Sequence, residues 1–332
     1  MILQKTVHHA KILVALVAIA LLAFAWPAAE AQHPVEVLDM SIRSEEGWSD
    51  LRARLAEKTD LYELDFRLQT EIPSNALLRM RGLFSVRADK ATTIGDGAFA
   101  FNDALEEARF PAARTIGANA FGNCRKLAVF MAPRAETIGN YAFTRAESLK
   151  TVTLESVRTV GANAFENAAM RTVTAVALVK VGDNAFANCN ELTNVVLTRL
   201  ETIGSGAFAQ CGKLDFVTLP SAATVGANAF TTCRTLSVVS LPRAQTIDSG
   251  AFARCAALRV VSLPAAEKIG RNAFKDCAQL RRLALAETPP EIGEGAFDGA
   301  ATDGLIVEVP DPEKYKDAIG FPENTKFVEK VQ

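Results

Sequence analysis

Histidine is almost absent from this chain of 332 residues. His8, His9 and His33 are the only three, so nothing after residue 33 carries an imidazole. Nucleophile pairs that use imidazole as the base, Ser–His or Cys–His, are therefore excluded from the body of the protein, as is histidine-ligated zinc. An excess of one charge sign is missing as well. The 36 Lys and Arg stand against 38 Asp and Glu, a formal net charge of −2, whereas nucleic acid as the main partner calls for a basic surface. No Gly-rich phosphate loop occurs, because every I-G-x-x-A-F belongs to a recurring unit. Asp311 and Glu313 lack the Gly-bearing pattern of a calcium loop. No cofactor and no metal site are expected, and the threonine-rich stretches offer hydroxyls with no base to activate them.

Long apolar runs are confined to the first 26 residues. Lys5 and Lys11 precede a continuous apolar run from residue 12 to 26, Pro27 breaks it, and Ala29-Glu30-Ala31 supplies small residues before Gln32. That order reads as a signal peptide over residues 1–31. Fifteen apolar residues fall short of the roughly 20 that a membrane helix needs; an uncleaved anchor is the alternative. The first cysteine is Cys124, so a lipid anchor at the cleavage site is not expected. The expectation is an exported protein, periplasmic, on the cell surface or secreted, without a stable membrane anchor.

What fills the rest is one unit repeated. Phe99, Phe121, Phe143, Phe165, Phe186, Phe208, Phe230, Phe252, Phe274 and Phe297 are 22 residues apart, apart from one step of 21 and one of 23. Each follows an alanine, has Ile or Val five residues before it, and usually has Leu six residues after it. Upstream, Ile72 to Leu77 lies 22 residues before Ile94 to Phe99 and marks an eleventh, degenerate unit starting near Leu61. Self-similarity at 20–29 residues is the signature of a leucine-rich solenoid. The segment L-x-x-V-x-L, as in Leu214 to Leu219, alternates like a half-buried strand. Pro111, Pro133, Pro220, Pro242 and Pro264 end that strand. The Ile-Gly step is expected to turn the chain. Two residues before Phe stands Asn or Gly, with Tyr141 the exception, which predicts a left-handed turn or helix start there.

Cys124, Cys189, Cys211, Cys233, Cys255 and Cys277 all lie three residues after the repeat Phe. Six cysteines in an exported chain ordinarily imply disulfides. Their shared register instead puts them on one stacked interior row, where parallel side chains fit disulfide geometry poorly. They read as buried free thiols acting as small apolar residues.

The unit I-G-x-N-A-F-x-x-C-x-x-L-x-x-V-x-L-P resembles the BspA-like, or treponemal-type, leucine-rich repeat over about residues 61–310. The resemblance implies an α/β solenoid, a right-handed curved array of about 11 coils of 22 residues. It carries a parallel β-sheet on the concave face, short helical or 3-10 turns on the convex face, and a cap at each end. Residues 32–60 form the expected N-terminal cap, with a helix over 44–58 that puts Trp48, Leu51 and Leu55 on one face. The solenoid proper runs over 61–304. Residues 305–332 close the far end with Tyr315, Ile319 and Phe321. The resemblance further implies export and binding of host or matrix proteins, as in members that are adhesins, while the want of any acid/base constellation makes a non-enzymatic protein the expectation.

If L-x-x-V-x-L buries its named letters, the third and fifth positions face outward. The third-position row includes Val129, Phe216, Val238 and Val260; the fifth-position row includes Met131, Val196, Thr218 and Ser240. These eight residues are the expected ligand surface, since contiguous apolar exposure marks interaction sites. Ordinary β-propensity is the plainer account of the valines. The partner is then a protein or peptide. A periplasmic or envelope scaffold, forming a homodimer through the same patch, is the alternative. Glu106 and Glu107 near Arg109, and Arg281 with Arg282, read as solvated faces.

Overall fold

A computed structural model describes residues 36–39, 42, 44–66, 68–301 and 304–330. The signal peptide expected over 1–31 lies outside the described residues. From residue 36 onward the chain is a parallel β-solenoid of about 12 turns of about 22 residues with little helix. Its strands alternate apolar-in and polar-out because each coil must bury one edge of every strand against its own interior.

Among the described residues, one face is built from thirteen longer strands. They are β1 (Glu36–Asp39), β2 (Tyr62–Asp65), β3 (Leu83–Arg87), β4 (Glu107–Arg109), β5 (Val129–Met131), β6 (Thr172–Thr174), β7 (Asn194–Val196), β8 (Phe216–Thr218), β9 (Val238–Ser240), β10 (Val260–Ser262), β11 (Arg282–Ala284), β12 (Ile306–Val309) and β13 (Lys326–Glu329). They pair in parallel as three sheets: β1 to β5, β6 with β7, and β8 to β13. A second, unbroken ladder of eleven two-residue strands runs from Glu71–Ile72 to Glu291–Ile292. Each of its strands places a buried or nearly buried Ile or Val toward the interior.

The interior is layered by row. Consecutive repeat phenylalanines from Phe99 to Phe297 stack with ring centroids 5.1–5.4 Å apart and planes within 11°. Each is at most 6 % exposed, and such burial contributes about 1.5–3 kcal/mol per side chain. The six cysteines are free and buried. Each Sγ donates to the carbonyl of the phenylalanine one coil back, at 3.1–3.2 Å. Burial pushes the thiols of Cys124, Cys189, Cys233 and Cys277 up to about 12. Asn102 holds the same place where the cysteine row ends. Its Nδ2 donates to the carbonyls of Leu77 and Phe99 at 2.9 Å each, so the buried amide is paired.

The expected short turns after the Ile-Gly step are overlapping i→i+3 turns that never extend into a helix, for example Gly117 O to Ala120 N and Asn119 O to Gly122 N. Left-handed residues interrupt any helix at two places per coil. The first is the anticipated one, from Asn75 through Tyr141 to Gly295. The second lies two residues after Phe and holds Arg79, Phe101, Gln210, Thr232 and Arg254 among others, at φ near 60°. Their N–H groups donate to the carbonyl of the next coil at 2.7–3.0 Å, and that bond offsets part of the left-handed cost of a non-glycine residue.

Glycine in the Ile-Gly step serves close approach rather than turning. A Cβ on Gly139 would lie 2.6 Å from the backbone of Gly117 and Ala118, and Gly204 would meet Gly182 at 2.5 Å. Neither adopts a left-handed φ.

Helix α1 (Glu45–Ala56) begins at Ser44, whose Oγ accepts from Gly47 N at 3.1 Å. It buries Trp48, Leu51 and Leu55, with the Trp48 ring 5.2 Å from Phe66. At the other end Phe321 extends the phenylalanine stack, 5.7 Å from Phe297. Tyr315 is fully buried, with its hydroxyl 3.0 Å from Ala286 O and 3.1 Å from Thr288 O. Ile319, expected to help close that end, is 85 % exposed. Its neighbours Tyr315 and Phe321 already fill the space over the last coil.

Candidate functional site on the long-strand face

The strand rows settle which side chains meet. In β8, β9 and β10 the parallel register sets Phe216 opposite Val238 and Val238 opposite Val260. Thr218, Ser240 and Ser262 form the parallel row two residues on. The alternate residues Val217, Val239 and Val261 are fully buried, so the strands cannot rotate the apolar row inward without unmaking the core. Phe216, Val238 and Val260 are 46 %, 41 % and 38 % exposed. They form one continuous apolar strip on a backbone held by its own ladder. Thr218 is exposed and Ser240 half-buried beside it.

Val129 and Met131 belong to β5, in the first sheet, and Val196 to β7, in the two-stranded one. The chain does not bring Val129 and Met131 to Phe216. Thr151, Thr153, Thr172, Thr174 and Asn194 stand between them, each exposed or half-buried. Val196 is half-buried, one coil before Thr218. Ala284, at the end of the fifth-position row, is 9 % exposed and offers little to a ligand.

The face changes character along its length. On β3 and β4, Arg87 reaches Asp89 at 2.7 and 2.8 Å, and Arg109 pairs with Glu107. The hydrogen bond to Asp89 raises the Arg87 guanidinium above its ordinary value. Burial first, and then the charge of Arg87, lower that of Arg109. These charges neutralise one another locally. Near the apolar strip, Arg282 bonds Glu308 at 3.2 Å, and Asp215 accepts from Ser237 Oγ at 2.7 Å.

Sequence reading passed over the second strand position. Lys150, Arg171, Asp215, Arg259 and Arg281 occupy it, all exposed. Backbone bonds from Arg171 N to Lys150 O and from Arg281 N to Arg259 O align them coil by coil. They recur one coil apart (21 or 22 residues) or two coils apart (44 residues), with Thr193 and Ser237 in the coils between, and that register was the signal that could have found them. Asn194 Oδ1, next to the strip, is shielded from solvent and has no hydrogen-bond partner. Among the described residues no three His, Cys, Asp or Glu side chains gather where they could hold a metal ion. No helix among them is long and apolar enough to cross a membrane.

Comparison with known proteins follows the same geometry. The chain is similar to a leucine rich cell surface protein from Faecalibacterium prausnitzii A2-165, 21% identical over 84% of each chain, with a TM-score of 0.42. It is 26% identical to the leucine rich repeat protein of T. pallidum over 50% of this chain and 78% of that one, TM-score 0.40. To the pneumococcal vaccine antigen PcpA it is 16% identical over 90% of this chain and 84% of that one, TM-score 0.45. No curated protein matches it. The family model for the BspA type leucine rich repeat region, in six copies, matches residues 70–192, 114–237 and 179–302, well over half of the chain. Coil period, interior rows and family match coincide, and the chain belongs to the BspA type leucine-rich repeat family.

Proposed function

We propose that this protein is an exported, non-enzymatic binding protein whose long-strand face receives a protein or peptide ligand, with host and extracellular-matrix proteins as the first class to test. The observation that carries this reading is the in-register strip Phe216, Val238 and Val260, exposed on three hydrogen-bonded strands. Exposed apolar side chains on a rigid ladder lose little conformational entropy on binding, and Phe is a good anchor when a partner covers it.

The test compares the chain with its Phe216→Asp/Val238→Asp variant, both checked for folding by circular dichroism. Immobilised collagen, fibronectin, laminin and serum proteins serve as ligands. A protein held by the first and released at least tenfold faster by the second supports the reading, since losing an anchor of 1.4 kcal/mol or more is at least a factor of about ten. Equal retention by both removes the strip from the site. Concentration-dependent dimerisation that disappears in the variant would instead assign the strip to a self-associating envelope scaffold.

A further inference from the structure

The apolar strip does not stand alone. Beside it runs the second-position row, and apart from Asp215 every charge in that row from β6 to β11 is positive. Arg171 stands on one side, and Arg259 and Arg281 on the other. Lys150 continues the row one coil earlier. Asp215 is held by Ser237 Oγ. Arg259 makes no ion pair among the described residues, and Arg282 adds a cation at the end of the strip itself, shared with Glu308. The chain's net charge is −2, so these cations are a feature of this row and not an overall bias, and Glu191, a carboxylate within electrostatic reach of Arg171, is paired with Lys213 at 2.7 Å.

Building on the reading above, we propose that the occupant of this face is an acidic, apolar segment of a protein partner, lying in extended form across the strands. Its apolar side chains rest on Phe216, Val238 and Val260, and its carboxylates meet Arg171 and Arg259. Neighbouring strands lie about 4.8 Å apart, so the four steps from the coil of Arg171 to that of Arg259 cover about 19 Å, the length of about six extended residues. Asn194, whose Oδ1 lacks a partner, can swing to meet a backbone N–H of such a segment. Apolar burial holds the segment, and the arginines select its charge and speed its approach. Nucleic acid fits less well, because two of the three strip residues are valines, which give bases no aromatic surface to stack on.

Panning a random displayed 12-residue library against the full chain tests this directly. The parallel targets are Arg171→Gln/Arg259→Gln and Phe216→Asp/Val238→Asp. Peptides selected by the native chain should combine apolar residues with an excess of Asp and Glu over the unselected library. Synthesised, they should bind the arginine variant about tenfold more weakly and lose affinity between 0.05 and 0.5 M salt, about the range over which screening lengths fall well below the protein's dimensions. Peptides without acidic excess, or indifferent to the arginine variant, overturn the acidic assignment while leaving the strip as a binding surface. Selection unchanged by Phe216→Asp/Val238→Asp overturns the strip itself. Displacement of the peptides by poly-dT, with tighter binding than any of them, would make the basic margin a phosphate-binding surface and also reject the proposal.

Discussion

Tyr141 occupies a place where the ten other coils carry only Asn or Gly, all left-handed, and it adopts φ 59° like them. Its ring is 49 % exposed, so little packing offsets the strained backbone. Replacing it by Asn, which tolerates this conformation and recurs at Asn119 and Asn163, should raise stability by about 1 kcal/mol in chemical denaturation. Two glycines test the opposite effect. A Cβ on Gly139 would meet two backbone atoms 2.6 Å away, whereas one on Gly212 would meet only Asn190 Oδ1 at 4.0 Å. Gly139→Ala should therefore cost about 1–3 kcal/mol by forcing coils apart. Gly212→Ala should be neutral or stabilise by up to about 1 kcal/mol, through lost freedom of the unfolded chain. Equal effects from the two would refute close approach as the reason for the Ile-Gly glycine.

At the scale of the element, the two ladders respond differently to the one shortened coil. Phe165 and Phe186 are 21 residues apart, and their rings still stack at 5.3 Å with planes 4° apart. The two-residue ladder also passes this point unbroken. On the long-strand face the missing residue is felt: between β5 and β6 a single bridge, Phe130 to Val152, replaces a strand pair. The bond from Arg171 N to Lys150 O is 3.2 Å, whereas the equivalent bond from Thr193 N to Arg171 O is 2.9 Å. Amides of Thr151, Val152 and Thr153 should accordingly exchange with solvent faster than those of Val238, Val239 and Ser240 in native-state hydrogen exchange. Uniform protection along the face would show that the bridge is as firm as the strands around it.

Across the whole molecule the interior rows act in concert, and the thiol row exposes this to titration. Burial raises the thiol pKa to about 12 in four coils, and Cys211 and Cys255 are also raised well above the ordinary thiol value, first by burial and then by neighbouring thiols. A folded pKa above the unfolded one favours the neutral thiol in the native state. That stabilisation is complete below the unfolded value of about 9 and is lost as pH rises from there toward 12. Each thiol should weaken the fold by up to about 1.4 kcal/mol per pH unit in that window. Cys211→Ala/Cys233→Ala should make denaturation midpoints between pH 9 and 11 less steep in pH than those of the native chain. An unchanged slope would mean that the thiols are accessible in the folded protein. The same row predicts six reactive thiols after denaturation and almost none before it.

Much of this architecture was legible in the residues themselves. A period near 22 forces each position into the same surroundings coil after coil, so Phe, Ala, Leu and Cys in register read as interior rows, and Asn or Gly before Ala-Phe read as a left-handed turn or a helix start, of which the turn is what forms. The rows of Phe216, Val238 and Val260 followed from strand alternation alone. Left to the tertiary structure were the second left-handed position, the two-residue ladder, the reason for the Ile-Gly glycine and the gap beside Val152. Each of these depends on backbone N–H groups, carbonyls and Cβ atoms meeting between neighbouring coils. Every residue carries the same backbone, so Arg79, Gln210 and Thr232 can occupy one turn position without any shared side-chain signature. The row that carries Lys150, Arg171, Arg259 and Arg281 became a surface feature only once parallel pairing set Lys150 beside Arg171 and Arg259 beside Arg281.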